Sequence, residues 1–202
     1  MVAIHKTAFP SFFLTALGER FLHELYRGFL HDSSSICLVG EDEDALQLTG
    51  FVVGTVEPRG FFRRLLIRRW YAFIFAGISE LRQRPLKVAR RFLDALVYRG
   101  EAPEGLEGAT LLSSIAVSPA TAGQGIGAML VERFCQQATS RGARSVYLLT
   151  DSDGNETVNE FYRRCGFTLE NSFQRPDGRR MNRHVRQLGT ALSANVTESG
   201  AR

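Results

Sequence analysis

The sequence has 202 residues, of which 44% are hydrophobic and 23% charged, and its formal net charge is +4. These values are typical of a globular domain and argue against a disordered, fibrous or repetitive chain. The three cysteines, Cys37, Cys135 and Cys165, show no CxxC spacing, which argues against a disulfide framework and a structural zinc site. We therefore expect reduced thiols and a cytoplasmic protein.

The N-terminal region predicts helical structure that belongs to the fold. The apolar stretch at residues 8–17 is interrupted by Pro10 and by polar residues, and no clean cleavage site follows it, so we do not interpret it as a secretion signal. Apolar side chains recur at helical spacing from Gly18 to Leu30. The longest apolar run, Trp70 to Ile78, is too short to cross a bilayer.

Two segments rich in branched residues, Ser35 to Gly40 and Leu46 to Val56, predict a β-hairpin around an acidic turn at residues 41–44. The turn residues are all acidic, so they are expected to face solvent. The hairpin predicts two neighbouring antiparallel strands before the most unusual part of the chain.

Residues 60–100 carry ten basic residues against two acidic ones. Apolar side chains recur there at helical spacing and Pro85 divides the segment, so we predict two basic amphipathic helices. We hypothesise that this basic insertion binds an anionic acceptor, such as an acidic or nucleotide-linked sugar or an acidic peptide. If this hypothesis holds, replacing Arg63, Arg64, Arg68 and Arg69 with glutamine is expected to raise the KM for the acceptor. Contact with a membrane surface through the aromatic residues near Trp70, and a merely solvated basic face, are the alternatives.

The second half of the chain alternates strands and helices. It predicts strands at Ala109–Val117, Ser145–Thr150, Phe167–Phe173 and Met181–Leu188, and helices at Gly125–Arg141 and Asn155–Cys165. The first of these helices is expected to bury the stripe Ile126, Met129, Leu130, Phe134 and Ala138. We predict one mixed α/β domain over residues 1–188, followed by a disordered tail at residues 189–202.

A glycine-rich turn at residues 122–128 lies between a predicted strand and a predicted helix. Glycines allow a ligand to approach the backbone closely, and the free N–H groups of a helix N-terminus attract an anion such as phosphate. A turn that only caps the helix is the structural alternative.

One kind of phosphate site that fits this turn is the dinucleotide fingerprint, which would indicate a nicotinamide-dependent oxidoreductase. Gly123, Gly125 and Ala128 have the required spacing, and Asp151 follows the next strand. However, five residues separate the strand from the first glycine, and only about 50 residues follow Asp151. A turn, rather than a crossover helix, also joins the last two strands, which disfavours this interpretation.

The other kind of site binds coenzyme A. Ser114 to Pro119, followed by Gly123 to Leu130, resembles motif A of the GNAT superfamily of acyl-CoA-dependent N-acetyltransferases. The family's Arg or Gln falls on Ala122, a departure expected to weaken cofactor binding at most. Asn155 to Phe167 resembles motif B of the same family, with Val158 in place of the usual alanine. Asn155 follows Gly125 of the glycine turn by 30 residues, and the pairing of the two motifs is more specific than either alone.

The resemblance implies a single-domain, GNAT-like mixed sheet, mostly antiparallel and flanked by helices. It implies transfer of the acetyl group of acetyl-CoA to a primary amine by direct attack in a ternary complex, with no acyl-enzyme and no cysteine nucleophile. Tyr162 matches the family's general acid, which protonates the leaving thiolate. The positions implied for coenzyme A are Ile115, Ala116 and Val117 for pantetheine, Gly123, Gln124, Gly125, Ile126, Gly127 and Ala128 for the pyrophosphate, and Asn155 for pantetheine or the adenine side.

Several points stay open from the sequence. The general base is not assigned: Glu57 and Asp151 end strands that could face the cleft but are also read as solvated carboxylates, and Ser113 and Ser114 could support a water path. No metal is expected, because the calcium-loop-like start at Asp151 lacks the required glycine and final glutamate. The family's first strand could only be formed by residues 1–4, and the alternative is a sheet that lacks one edge strand.

Other functions are also left open. A catalytically silent acyl-CoA-binding module, which senses the cofactor or scaffolds a partner, is the main alternative to an enzyme. A homodimer is compatible with the sequence. No recognised nucleic-acid-binding module accompanies the basic insertion, so no nucleic-acid partner is expected.

Overall fold

The computed structural model describes residues 1–10, 12–42, 47–65, 67–68, 105–175 and 178–189. The two predicted basic helices, beyond their start, and the tail from residue 190 onward lie outside these ranges. Within these ranges, no helix has the length and apolar character needed to span a membrane.

The described elements follow the predicted order, with bounds that differ from the predicted ones by a few residues. They are α1 (Val2–Ala8), α2 (Phe13–Ala16), α3 (Glu19–His31), β1 (Ser35–Asp42), β2 (Gln47–Thr55), the helical segment α4 (58–65), β3 (Thr110–Val117), a 3₁₀ turn (Pro119–Thr121), α5 (Ile126–Ser140), β4 (Ser145–Asp151), α6 (Glu156–Arg164), β5 (Thr168–Gln174) and β6 (Arg180–Gln187). Glu41 and Asp42, which were predicted to lie in the acidic turn, belong to β1, and the rest of the predicted turn lies outside the described residues.

The N-terminus is helical rather than extended. Residues 1–4 were the candidate for a first strand, but Val2 and His5 bury one face of α1 instead. Among the described residues no strand precedes β1, which therefore forms one edge of the sheet. The amphipathic helix predicted from Gly18 is confirmed as α3, whose apolar face is buried.

The sheet has six strands in the order β1-β2-β3-β4-β6-β5. Neighbouring strands are antiparallel except for β3 and β4, which are parallel and pair only at Thr110–Val146 and Leu111–Tyr147 before they diverge. Gly54 of β2 pairs with Leu112, whereas Val53 pairs with Ser114, so Ser113 forms a bulge in β3. This confirms the mostly antiparallel mixed sheet, which differs from the doubly wound parallel sheet of dinucleotide-binding enzymes.

Helices cover both faces of the sheet. Helices α1 to α4 pack on one face, around fully buried side chains such as Leu22, Phe29 and Tyr147. Helices α5 and α6 pack on the other face, around Phe134 and Phe167. The sheet thus lies between two hydrophobic layers, an arrangement that buries the apolar faces of both helices and strands.

The predicted buried stripe of α5 is correct in part. Leu130, Phe134 and Ala138 are buried, but Met129 is 52% exposed. Val131 and Cys135 occupy the buried face instead. The helix is therefore rotated relative to the prediction, because the sheet contacts residues on both sides of Leu130.

Arg64 of α4 is held by the fold. Its Nε donates to Asp32 Oδ2 at 2.8 Å and its Nη2 to Asp32 Oδ1 at 2.9 Å. The same side chain donates to Ser34 Oγ at 2.9 Å and to Glu57 Oε2 at 3.1 Å. This network ties α4 to the end of α3 and the start of β1, so we remove Arg64 from the arginines proposed to bind an acceptor.

The Asp32–Arg64 pair predicts a pH-dependent stability. Hydrogen bonds from Arg64, and then from Ser34, lower the pKa of Asp32 from 3.8 to about 2. Because the folded pKa lies below the unfolded one, the carboxylate stabilises the fold above about pH 4, and this contribution is lost as the pH falls towards 2. Asp32→Asn is expected to lower the free energy of unfolding by about 2 kcal/mol at pH 7 and by much less near pH 2.5.

Urea unfolding of wild type and Asp32→Asn at both pH values measures this difference. Glu19→Gln, which removes an exposed ion pair with Lys6, is the control and is expected to change stability little. A loss that is equal at both pH values would show that the Asp32 charge does not stabilise the fold.

Candidate active site

A cleft of about 240 Å³ opens where β3 and β4 diverge. Strand β3 contributes residues 111–115 to its walls, and β4 contributes residues 149–151. Because β3 pairs with β4 only as far as Leu111, its later backbone groups on that side are available to a ligand.

The cleft is lined from both faces of the sheet. On the side of α5 and α6 its walls are Asn155, Val158 and Tyr162. On the side of α1 and α2 its walls include Phe9, Phe12 and Met181, together with Arg175 and Arg179 near the β5–β6 turn. Two ligands, one on each face of the sheet, could therefore meet at the gap between β3 and β4.

The glycine-rich turn has the geometry of an anion site. Gly123 and Gly125 have φ angles of +82° and +80°, with open space on the side where a Cβ would stand. Gly125 is the N-cap of α5, and no side chain of the described residues caps that helix end. The N–H groups of the first turn of α5 are thus left for an anionic ligand.

The two sequence motifs meet in space. A Cβ on Gly127 would lie 3.4 Å from the ring of Phe161 and 3.6 Å from Val117, so the start of α5 adjoins both α6 and the end of β3. Ile115 and Asn155 line the cleft with Tyr162, whereas Ala116 is buried against β2. The other predicted cofactor positions, Val117, Gly123, Gln124, Ile126 and Ala128, are half-buried or exposed beside the cleft.

Tyr162 lies at the bottom of the cleft, 7% exposed. Its ring contacts Phe161 and Phe167 edge-on, with ring centroids 5.1 and 5.8 Å away. Burial raises the pKa of the Tyr162 phenol, so the hydroxyl stays protonated at neutral pH and can donate a proton or hydrogen bond.

A polar network not found in the sequence analysis holds α6 against β4. Thr150 Oγ1 donates to Asn159 Oδ1 at 2.6 Å, and His184 Nε2 lies 3.1 Å from the same oxygen. The amide nitrogens of Asn155 and Asn159 donate to the carbonyl oxygen of Asp151 at 3.3 and 3.4 Å. The available signal was the spacing of Asn155 and Asn159, four residues apart on one helix face.

The candidate bases differ in position. Glu57 is 61% exposed, accepts a hydrogen bond from Arg64 and does not line the described part of the cleft. Asp151 lines the cleft, and its Oδ1 accepts from Arg179 Nη2 at 2.5 Å. Ser113 and Ser114 also line the cleft, so Asp151 and the two serines are the candidates from the sequence that the structure brings to the cleft.

The cysteines lack the surroundings of a nucleophile. Burial raises the pKa of Cys37 and of Cys135 to about 11, and it also raises that of Cys165. A reactive thiol needs the opposite shift, because the thiolate is the nucleophile. None of the three lines the part of the cleft that the structure describes.

Comparison with known proteins agrees with this architecture. A family model described as the acetyltransferase (GNAT) family matches residues 1–167. No curated protein matches the chain significantly.

Solved structures share the fold at low sequence identity. One described as an acetyltransferase is 18% identical, with a TM-score of 0.60 over 93% of this chain and 94% of that one. A GNAT-family protein from Desulfovibrio desulfuricans is 13% identical, with a TM-score of 0.57 over 93% and 92%. A variant of spermidine N-acetyltransferase from Vibrio cholerae is 16% identical, with a TM-score of 0.52 over 87% and 79%. Because the family model spans most of its length, the chain belongs to the GNAT acetyltransferase family.

Proposed function

We propose that the protein is an N-acetyltransferase that moves the acetyl group of acetyl-CoA to a primary amine by direct attack in a ternary complex. The observation that carries this proposal is the cleft at the divergence of β3 and β4, which has Tyr162 at its base. A helix N-terminus without a side-chain cap lies beside it. This arrangement provides separate places for an anionic acyl donor and for an amine.

The residues present fit coenzyme A. The glycine turn offers N–H groups to a pyrophosphate, and the unpaired side of β3 offers backbone groups to the amides of pantetheine. The proposed contacts are Ile115, Ala116, Val117, Gly123, Gln124, Gly125, Ile126, Gly127, Ala128 and Asn155. When bound, acetyl-CoA supplies the thioester that the amine attacks.

The proposed chemistry needs one proton donor and one proton acceptor. Tyr162 is the donor, because its buried hydroxyl is protonated and can give a proton to the departing thiolate. The amine must lose a proton when it attacks, and the polar residues of β3 and β4 that line the cleft are Ser113, Ser114, Thr150 and Asp151. The Thr150 hydroxyl donates to Asn159, which leaves Asp151, Ser113 and Ser114 as the candidates.

The acceptor end supports an amine that carries an acidic group. Phe9, Phe12 and Met181 offer an apolar wall, and Arg175 lies beside it together with Arg179, whose charge is paired with Asp151. A screen of glucosamine against glucosamine 6-phosphate, and of phenylalaninamide against phenylalanine, tests this preference. Spermidine serves as the cationic comparison, because a fold neighbour is a spermidine N-acetyltransferase. We expect the acidic member of each pair to have the higher kcat/KM, whereas preference for the uncharged members or spermidine would contradict an anionic acceptor.

The cofactor assignment predicts a response at Ala122, the exposed position where the family usually has Arg or Gln. Ala122→Arg is expected to tighten acetyl-CoA binding several-fold, and Ala122→Glu to weaken it about tenfold, because the side chain lies beside the proposed pyrophosphate site. Calorimetric titration with acetyl-CoA, and with NADH in a parallel cell, measures both effects.

Gln187→Glu is the control, since it adds the same charge at the exposed far end of β6, where Gln187 pairs with the first residue of β4. No heat with acetyl-CoA from the folded wild type would overturn the cofactor assignment, and heat with NADH alone would favour a dinucleotide site. Binding without turnover of any of the amines would favour a silent acyl-CoA-binding module.

A further inference from the structure

A chain of three polar side chains runs from the cleft into the core beneath α1. Tyr26 of α3 lies between the other two: its hydroxyl is 2.6 Å from His5 Nδ1 and 3.5 Å from Ser114 Oγ. His5 is 1% exposed and Tyr26 is 3% exposed, whereas Ser114 lines the cleft. Burying polar groups costs folding free energy unless the groups are hydrogen-bonded, so the alignment of these three calls for an explanation.

The chain ends on the acceptor side of the cleft. Tyr26 belongs to the hydrophobic layer of α1 to α4, the same side on which Phe9 and Phe12 line the cleft. The ring centroids of these two phenylalanines lie 5.1 and 6.2 Å from that of His5. An amine between these walls would therefore meet Ser114, the only member of the three that the cleft exposes among the described residues.

We propose that His5 is a proton acceptor for the reaction, acting on the amine through Tyr26 and Ser114. This inference rests on the proposed acetyltransferase function. Ser114 is then the residue that touches the amine, and Tyr26 and His5 are positioning residues that act through it.

The proton movements balance. As the amine nitrogen bonds to the acyl carbon, its proton passes to Ser114 Oγ, the Ser114 proton passes to Tyr26 and the Tyr26 proton passes to His5 Nδ1. The carbon–sulfur bond breaks with its electron pair on sulfur, and Tyr162 gives that thiolate a proton. Exchange with solvent between turnovers removes the proton from His5 and restores the one on Tyr162.

The side chains suit these roles. Histidine is the side chain whose ordinary pKa lies nearest to neutral pH, so it can take up and release a proton there. Tyr26 is held by an edge-on contact with Phe51, with centroids 5.1 Å apart. The 3.5 Å separation from Ser114 is long for a hydrogen bond, but such catalytic contacts commonly shorten in the ternary complex.

Of the three members of this chain, the His5 imidazole is the one whose ordinary pKa lies near neutral pH. The charged groups beside it at α1 are the Met1 amine, whose pKa is lowered by burial, and Lys6, which pairs with Glu19 at 2.7 Å. The first turns of α3 also carry Arg20, His23 and Glu24. Helix α2 carries no charged residue. The structure places the hydroxyl of Tyr26, which is uncharged, against the His5 imidazole.

The kinetic test compares pH profiles of kcat/KM with the best amine of the screen described above. Wild type is expected to lose activity below the pKa of His5. His5→Gln and Tyr26→Phe are each expected to lower kcat/KM about 10- to 100-fold at pH 7 and to remove that acidic limb. The double variant is expected to lose no more than either single one, because both interrupt one path.

Tyr147→Phe is the matched control. Tyr147 is a buried tyrosine of the same hydrophobic layer, but its hydroxyl has no hydrogen-bond partner among the described residues and does not line the cleft. Its variant is expected to keep wild-type kcat/KM at every pH. If His5→Gln and Tyr26→Phe lose activity equally at all pH values and keep the acidic limb, their role is structural and the proposal fails.

A second measurement needs no acceptor and so separates failure of this inference from failure of the proposed function. Nitrogen NMR of the His5 imidazole should show the neutral ring with its proton on Nε2, and the Nδ1 signal should shift in Tyr26→Phe. A ring that carries its proton on Nδ1 throughout pH 6–8 could not accept from Tyr26 and would overturn the relay.

Discussion

Tyr162→Phe is expected to lower kcat at least about 100-fold, with the Kd for acetyl-CoA within about twofold of wild type. The change removes the hydroxyl of the one tyrosine that lines the described part of the cleft, while the ring keeps its contacts with Phe161 and Phe167. Because burial holds the pKa of this phenol above its usual value, the wild-type donor stays protonated well above neutral pH. Steady-state kinetics with calorimetry separates the proton-transfer role from binding.

The same tyrosine also packs in the core, so a fold control is required. The Tyr162→Phe variant should unfold at nearly the wild-type urea concentration, since its ring volume is retained. Tyr147→Phe again serves as the tyrosine that lies outside the cleft. A Tyr162→Phe enzyme with kcat within threefold of wild type would remove Tyr162 from the mechanism.

Much of the fold follows from local pattern. Strand and helix positions are readable because buried strands such as β2 form runs rich in branched residues, and amphipathic helices such as α3 have a strong helical periodicity. The glycine turn is readable for a different reason: positive φ angles at Gly123 and Gly125 restrict those positions largely to glycine. Features that depend on residues close together in the sequence, such as helices, strands and the glycine turn, could therefore be predicted.

What could not be predicted depends on contacts between distant residues. Asn159 and His184 meet only because β6 pairs with β4 beneath α6, and His5 and Tyr26 meet only because α1 packs on α3. At the N-terminus the sequence left open whether residues 1–4 form a first strand or the sheet lacks one edge strand, and the burial of Val2 and His5 on one face of α1 favours the helix. Likewise, nothing in α4 alone showed that Arg64 would bond to Asp32.

A glycine of the neighbouring strand β2 is closely packed at the point where β3 and β4 diverge. A Cβ on Gly54 would overlap the carbonyl oxygen of Leu111 and the ring of Phe134. Leu111 is the last residue of β3 that pairs with β4, and the bulge at Ser113 follows directly. A side chain at Gly54 must therefore displace the strand at the point where the cleft begins.

Gly54→Ala is accordingly expected to lower the free energy of unfolding by about 2–4 kcal/mol, because neither backbone nor ring can yield without disturbing the core. The displaced strand should also weaken acetyl-CoA binding under conditions where the variant is still folded. Denaturant unfolding and calorimetry measure the two effects.

Two other glycines provide a graded comparison. A Cβ on Gly50, in the same strand, would lie 3.0 Å from the carbonyl oxygen of Ala116, so Gly50→Ala is expected to cost less than Gly54→Ala. A Cβ on Gly189 meets no atom within 4 Å, so Gly189→Ala should change little. The expected order of destabilisation is thus Gly54, Gly50, Gly189. If Gly54→Ala is as stable as Gly189→Ala, the close packing around Gly54 does not fix the position of β3. The bulge at Ser113 would then be the feature that separates β3 from β4.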